Sequence, residues 1–532
     1  MPVSSRVDRS SRRARVRVVP CGGGRARTPG LALAAMLGLG GVVPVAAADE
    51  VARTPLGPVL LDAGDTALRD DLAWLVDRGR LPDLTLGTWP MPASTVEKAL
   101  ARLELATDAP LAAADADALA RVRIALARQR SPVVVGIGIN TARRPAIDAE
   151  SPVRSRAEPE LTLQSGDAGW ALRLSARGAI DPIDRRESSE LTIDGSFAAV
   201  EVGPVVAALA AVDRWWGPSP AASPVLGNVA QPVPGLLLRR AGESAPTWAP
   251  MAWVGPWTWE LSAGRPYEAV PDGSNTLGLR LAARPLKGLE LGISRYVYWG
   301  GAGRPNSPGS LLRALTGRSN IDDPTSQGPD PSNEIAGFDL RYAFALPSAT
   351  LVGWAHGVGE DEAGGLPSKY FGTVGLQVGH VMGGQRLQWS LEGTDTRLRG
   401  GFGLNYSSDG PAYRHGAFAS GHYQRGLPLG SPMGGGGQGA SVALDWIRLD
   451  DPDALRAQLR IWNAQLARDG AEAINAAHPV PGHWRGAQLR LQGERPSLRW
   501  RGDLVWQREQ GREDLRSWGV VLRLEWRLGE PR

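Results

Sequence analysis

Hydrophobic side chains recur with two different periods along this chain, and the switch falls near residue 132. From Asp49 to Arg130 the period is helical. Leu68, Leu72 and Leu75 fall at i, i+4 and i+7 within DTALRDDLAWLVDRG, one stripe of a helix that Gly79 is placed to end. Ser94 and Glu97 have capping-box spacing ahead of Leu100 and Leu103. Leu119, Val122 and Leu126 form a third stripe over about 115–130. These stripes predict a small helical domain over residues 49–131.

From Val133 the period is two. In the last stretch Trp518, Val520, Leu522, Leu524, Trp526 and Leu528 share one face, and Ser517, Gly519, Arg523, Glu525 and Arg527 share the other. Similar alternation predicts strands near 133–139, 158–164, 169–178, 190–202, 205–213, 235–242, 251–262, 276–283, 289–299, 334–345, 349–358, 371–380, 386–395, 440–449, 455–465, 484–493, 497–507 and 515–528. Short connections such as 203–204, 284–288, 346–348 and 494–496 alternate with long ones at 214–234, 300–333, 396–439 and 466–483. An even number of strands with short turns at one end and long loops at the other is the pattern of a transmembrane β-barrel, whose apolar face meets lipid and whose polar face lines the lumen. The expected fold is mainly β: an antiparallel transmembrane barrel of about eighteen strands over 132–532, preceded by the helical domain.

Composition alters this picture at the N-terminus. Eight arginines lie between Arg6 and Arg27, followed by an apolar stretch from Leu31 to Val45 and by Ala46-Ala47-Ala48. Residues 1–48 therefore read as a secretory signal peptide. Without them the chain carries 51 basic against 54 acidic side chains, so its high isoelectric point belongs to the signal and no nucleic-acid partner is expected. The one cysteine, Cys21, lies within that segment, which leaves no thiol for a disulfide or a cysteine metal site. After Val45 no run of ~18 apolar residues follows, so strands are the remaining way to cross a membrane.

Two stretches carry a resemblance. One is RDDLAWLVDRG with Trp89-Pro90-Met91-Pro92 after a spacer. The other is Arg214-Trp215-Trp216-Gly217-Pro218, a small-residue spacer, and the turn Asn228-Val229-Ala230-Gln231-Pro232 leading through Pro234 into a strand. They resemble the capsule assembly Wzi family, outer-membrane β-barrels that hold surface polysaccharide, with Gln231 standing where the family pattern carries a cation. The resemblance implies an outer-membrane location, a helical domain in the periplasm, and a non-catalytic lectin-like protein that anchors capsular polysaccharide or exopolysaccharide. Read from the residues alone, Trp215 and Trp216 must point to opposite sides of a strand. Either they anchor a strand end at the membrane interface or they contact a glycan.

Aromatic rings beside arginines suit a glycan, since sugar C–H faces pack on rings and guanidinium donates to hydroxyls and carboxylates. Such side chains gather at Arg295, Tyr298, Trp299 and Arg304, and in the 396–439 loop at Tyr406, Tyr413, Arg414, Tyr423 and Arg425. With Arg214, Trp215 and Trp216 they form the candidate polysaccharide site. Inward arginines, among them Arg173, Arg280, Arg341, Arg456, Arg460, Arg490 and Arg523, are expected to pair with Asp339, Glu392, Asp503 and Glu525 and fill the barrel. No catalytic residue, metal or cofactor is expected. His415 and His422 share a loop with Asp409 and keep an outer-membrane hydrolase open; Asp322, Asp323 and Asp330 could ligate calcium or simply make turns. A saccharide porin is the main alternative to the lectin. The expected partners are polysaccharide and outer-membrane lipid, with the protein a monomer.

Overall fold

The computed structural model describes residues 55–529 apart from 107–109, 184–188, 317–331, 364–365, 401–409, 450, 452–454, 467–474, 476–477, 479–480, 496 and 512–513. From Val133 onward its strands close into one antiparallel barrel. In chain order they are β1 (Val133–Asn140), β2 (Ser155–Asp167), β3 (Trp170–Pro182), β4 (Glu190–Thr192 continued by Phe197–Val202), β5 (Val205–Ala210), β6 (Gly235–Arg240), β7 (Trp257–Gly264), β8 (Asn275–Leu286) and β9 (Leu289–Trp299). They continue as β10 (Ser332–Ala345), β11 (Ala349–Ala363), β12 (Leu366–Met382), β13 (Gln385–Arg399), β14 (Gln438–Arg448), β15 (Arg456–Leu466), β16 (Gly482–Arg495), β17 (Leu498–Gln510) and β18 (Asp514–Leu528). Both segments of β4 pair with β3, so the sheet has eighteen staves with one of them interrupted. β18 meets β1 in a register running from Val521↔Asn140 to Leu528↔Val133, which leaves no open edge.

Inside and outside are inverted relative to a water-soluble sandwich. Trp518, Val520, Trp526 and Leu528 of β18 are exposed, as are Leu174, Ile293, Phe338, Trp389 and Ile461 on other strands. Many inward positions hold paired charges, whereas Arg173 donates to Gln164 and Gln129 and Glu392 accepts from Ser219 instead of from an arginine. Arg280 donates to Asp339 at 2.6 and 3.0 Å, Arg490 to Asp503 at 2.8 and 3.0 Å, and Arg523 to Glu525 at 2.7 Å. Arg341 and Arg456 instead reach carboxylates of the helical segment, Asp77 and Asp71.

That segment comprises α1 (Thr66–Asp77), α2 (Ala93–Ala106) and α3 (Ala113–Arg128). The Asp65 carboxylate caps α1 by accepting from Leu68 N at 3.2 Å, and Gly79, at φ +72, follows the helix end as its position suggests. The expected capping box does not form, because Ser94 already lies inside α2. Its hydroxyl donates to Glu201 at 2.7 Å, and the Glu97 carboxylate accepts from Leu56 N at 3.1 Å. The helices close the short-connection end of the barrel. Asp71 on α1 accepts from Arg121 of α3 at 3.0 Å, from Arg386 of β13 at 2.8 Å and from Arg456 of β15. Asp77 takes both Arg341 nitrogens at 2.6 and 2.7 Å, and the Glu290 carboxylate of β9 accepts from Leu86 N and Gly87 N at 2.8 Å.

One expected strand start is displaced. Residues near 251 form not strand but a 3-10 helix, Ala249–Val254, and β7 begins at Trp257. Pro246, Pro250 and Pro256 have no N–H for a sheet ladder. Gly255 turns the chain at φ +68, where a Cβ would lie 2.0 Å from Arg284 O.

Candidate functional site

The tryptophan pair lies inside the barrel. Trp215 and Trp216 form a two-residue strand paired antiparallel with Thr88 and Trp89 of the helical segment, Trp215↔Trp89 and Trp216↔Thr88. The two stretches that carry the family resemblance therefore join each other, and Arg239 of β6 clasps the ribbon by donating to Thr88 O at 2.8 Å and Pro90 O at 2.6 Å. The two indoles do face opposite ways, as the strand period requires. Both directions are interior, however, and the rings are 1% and 0% exposed. Trp215 packs with the helical core beneath the Arg69 guanidinium, 4.7 Å from its ring. Trp216 joins a second core near the long-loop end and donates from Nε1 to Glu260 at 3.2 Å. Arg214 is buried as well and donates to Val233 O at 3.2 Å. Each buried indole removes roughly 200 Å² from water, on the order of 5 kcal/mol of hydrophobic stabilisation.

The turn that follows is held by a residue the sequence reading missed. Arg154, in the β1–β2 connection, donates to Asn228 O at 2.6 Å, Val229 O at 3.0 Å and Asp213 at 2.9 Å. Gln231 is buried, and its carbonyl accepts from Gln424 at 2.9 Å. A lone arginine far away in sequence gives no local signal of such a clasp.

The 410–437 part of the long loop folds inward over this turn. Tyr413, Phe418, His422 and Tyr423 are buried against Tyr296, Tyr298 and Phe371 of the barrel wall. Tyr413 donates to Pro224 O at 2.6 Å, and its φ of +69 is a left-handed conformation forced on a bulky residue. Burial pushes the Tyr413 phenol well above its ordinary value. Tyr298 Oη lies 3.2 Å from His422 Nδ1, while His422 Nε2 lies 2.6 Å from Val225 O. Both ring nitrogens of His422 are thus engaged in structure. His415 Nδ1 accepts from Ala417 N at 3.1 Å and Phe418 N at 3.2 Å, closing its own turn. Asp409, the carboxylate that shares their loop, lies outside the described residues.

The remaining candidates lie at the rim of the long-loop end. Arg414 is exposed, while Trp299, Arg304 and Arg425 are half-buried. Trp299 donates from Nε1 to Ser310 at 3.0 Å, and Arg304 reaches Ala417 O at 3.3 Å with Phe418 beneath it. Arg425 lies 4.7 Å over the Tyr267 ring, between Glu190 and Glu268, with Glu268 at 3.3 Å. Arg295 is turned to Ala314 O and Glu334. Tyr406 and the aspartates 322, 323 and 330 lie outside the described residues. The rim is one connected surface. Val270 N donates to Ser420 at 2.5 Å, Tyr267 N to Gln424 at 3.2 Å, and Ala302 N to Asp272 O at 2.7 Å. Tyr267 is a half-buried aromatic that sequence reasoning missed, since its partner Arg425 lies far along the chain.

Comparison with known proteins bears on what such a closed barrel is. The family described as capsule assembly protein Wzi matches residues 133–510. A Klebsiella pneumoniae protein described as an uncharacterized 55.8 kDa protein in the cps region is 30% identical over 447 residues, 82% of each chain. The solved structure of Wzi, an outer-membrane protein involved in group 1 capsule assembly in Escherichia coli and described as a carbohydrate-binding β-barrel, is 27% identical. It aligns with a TM-score of 0.75 over 88% of this chain and 99% of its own.

Proposed function

This chain belongs to the capsule assembly protein Wzi family and is an outer-membrane β-barrel, and from that premise we propose that it binds capsular or related polysaccharide at the cell surface and holds it there without catalysis. The observation that carries the reading is where accessible arginine and aromatic side chains gather. The lumen is taken up by the helices at one end and by the Trp215–Pro234 and 410–437 segments at the other, whereas Trp299, Arg304, Arg414, Arg425 and Tyr267 stand at the long-loop rim. Long loops of outer-membrane barrels face outward and short turns face the periplasm, which supports a reading with this rim at the cell exterior and the helices on the periplasmic side. Half-exposed rings offer apolar faces to sugar C–H groups, and guanidinium donates in pairs to hydroxyls and uronate carboxylates.

In this arrangement Arg214, Trp216, Arg295, Tyr298, Tyr413 and Tyr423 support the rim from beneath, while Trp215 ties the same ribbon to the helical core. They fix the loops so that little ordering entropy is lost when polymer binds. The test is binding of purified, folded protein to purified capsular polysaccharide. Alanine together at Trp299, Arg304 and Arg414 is expected to weaken binding at least tenfold, about 1.4 kcal/mol, while leaving heat-modifiable gel mobility unchanged. Unchanged binding in a folded triple variant would remove the rim from the account. A saccharide channel has less support, because the same segments that hold the rim lie across the lumen.

A further inference from the structure

The connection over 241–256 is the long exception among the otherwise short turns at the helical end of the barrel. From Ser244 to Trp259 no side chain is charged, and Trp248, Trp253, Trp257 and Trp259 fall within that run. Trp248 is 67% exposed, Met251 40% and Trp253 70%. Large apolar groups so exposed are unfavourable against water, at about 25 cal/mol per Å².

The segment is nonetheless rigidly presented. Met251 N donates to Trp248 O at 3.0 Å, Trp257 N to Glu243 O at 2.9 Å and Arg284 N to Pro256 O at 2.7 Å. The acidic side chain beside it points the other way. The Glu243 carboxylate is buried and accepts from Thr85 N at 2.6 Å and from Arg239 at 2.7 Å. The exposed face is also continuous with the lipid-facing wall. Leu281 and Leu286 are exposed on β8, where Leu281 pairs across from Trp259 and Leu286 lies toward the same end of the strand. Between wall and segment, the outward Arg240 guanidinium lies 4.5 Å over the Trp257 ring, a cation placed where lipid phosphates would be. The contrast at the same end is Leu105 of α2, 88% exposed but surrounded in sequence by Arg102 and Glu104 and ion-paired neighbours, the character of a face in water.

We infer that the Trp248–Trp253 segment is an interfacial foot. It lies in the headgroup and acyl boundary of the leaflet at the short-connection end, with Trp248, Met251 and Trp253 inserted, and sets the depth and tilt of the barrel. Indole and thioether side chains on a short helix lying in the membrane plane are the chemistry of such insertion.

The test places a polarity-sensitive fluorophore on cysteine in the signal-free full-length barrel, at Trp253→Cys and separately at Ala252→Cys, which keeps both indoles. Leu105→Cys is the control. Proteins folded into phosphatidylcholine vesicles are compared with and without bromine on the upper acyl chain. Either foot label is expected to lose roughly half its emission to brominated lipid while the Leu105 label changes little, as insertion of about 5–10 Å requires. Foot labels that are no more quenched than Leu105 would overturn the inference. So would a foot label shielded from quencher only at high protein concentration, which would assign the face to a second copy instead.

Discussion

At Gly217 the backbone takes φ +127, and a Cβ there would lie 2.5 Å from Nδ1 of His356 on the barrel wall. The glycine of the Trp-Trp-Gly-Pro run is thus required twice, by conformation and by space. Gly217→Ala is expected to cost roughly 1–3 kcal/mol and to lower the unfolding midpoint in urea, with Ser223→Ala, which removes the hydroxyl that donates to Trp216 O, as a milder comparison. His422 gives a prediction in pH. Burial holds its imidazole down to about 4, against the ordinary 6.5, and the hydrogen bond to Val225 O opposes this only in part. The folded loop holds the neutral ring, so the unfolded loop takes up the proton first. Stability from His422 is therefore complete above about 6.5 and is lost as pH falls toward 4, a loss on the order of 3 kcal/mol. Protection factors of the 410–437 amides, with the intrinsic exchange rate corrected for pH, should fall between pH 7 and pH 4.5, and His422→Gln should flatten that dependence. Single residues were also the least legible part of the sequence. Trp215, Tyr413 and Tyr423 have the same composition signature whether they face a sugar or a core, because a closed lumen recruits aromatics for packing just as a glycan site recruits them for stacking.

Among elements, the strands were legible and the plug was not. A period of two reports which face meets lipid at every stave, so all eighteen were visible from alternation, and their even number lets β18 meet β1 antiparallel. The misplaced start of β7 shows the limit of that signal, since apolar residues in the Ala249–Val254 turn serve a surface and not a ladder. The helices were visible from their stripes, but nothing local says that α1 aims carboxylates into the barrel. Asp71 is the centre of that attachment. Burial alone would raise its carboxyl, yet Arg121, Arg456 and Arg386 hold it far below the usual carboxylate range. Asp71→Asn leaves Arg386 and Arg456 of the wall short of their counter-ion, while Arg121 keeps Asp117, and is expected to cost about 3–5 kcal/mol of plug attachment. Limited proteolysis should then cut between the helices and β1 under conditions where the parent protein resists, with the barrel itself intact.

For the whole molecule, the apolar face turned outward and the filled lumen divide the labour between lipid, plug and rim. With the helices and inward loops in place, the purified protein in planar bilayers is expected to show none of the steady conductance of an open porin, and Asp71→Asn should introduce intermittent openings. The claim that organises the account is retention of polymer at the surface. It is tested most directly by measuring cell-bound and released polysaccharide in parent cells, in a strain lacking this protein, and in that strain carrying the Trp299, Arg304 and Arg414 triple alanine variant. The account predicts unchanged total polymer, with most of it shifted to the medium in the deletion strain and in the triple variant alike. Polymer that stays on the cells when the protein is absent would contradict it.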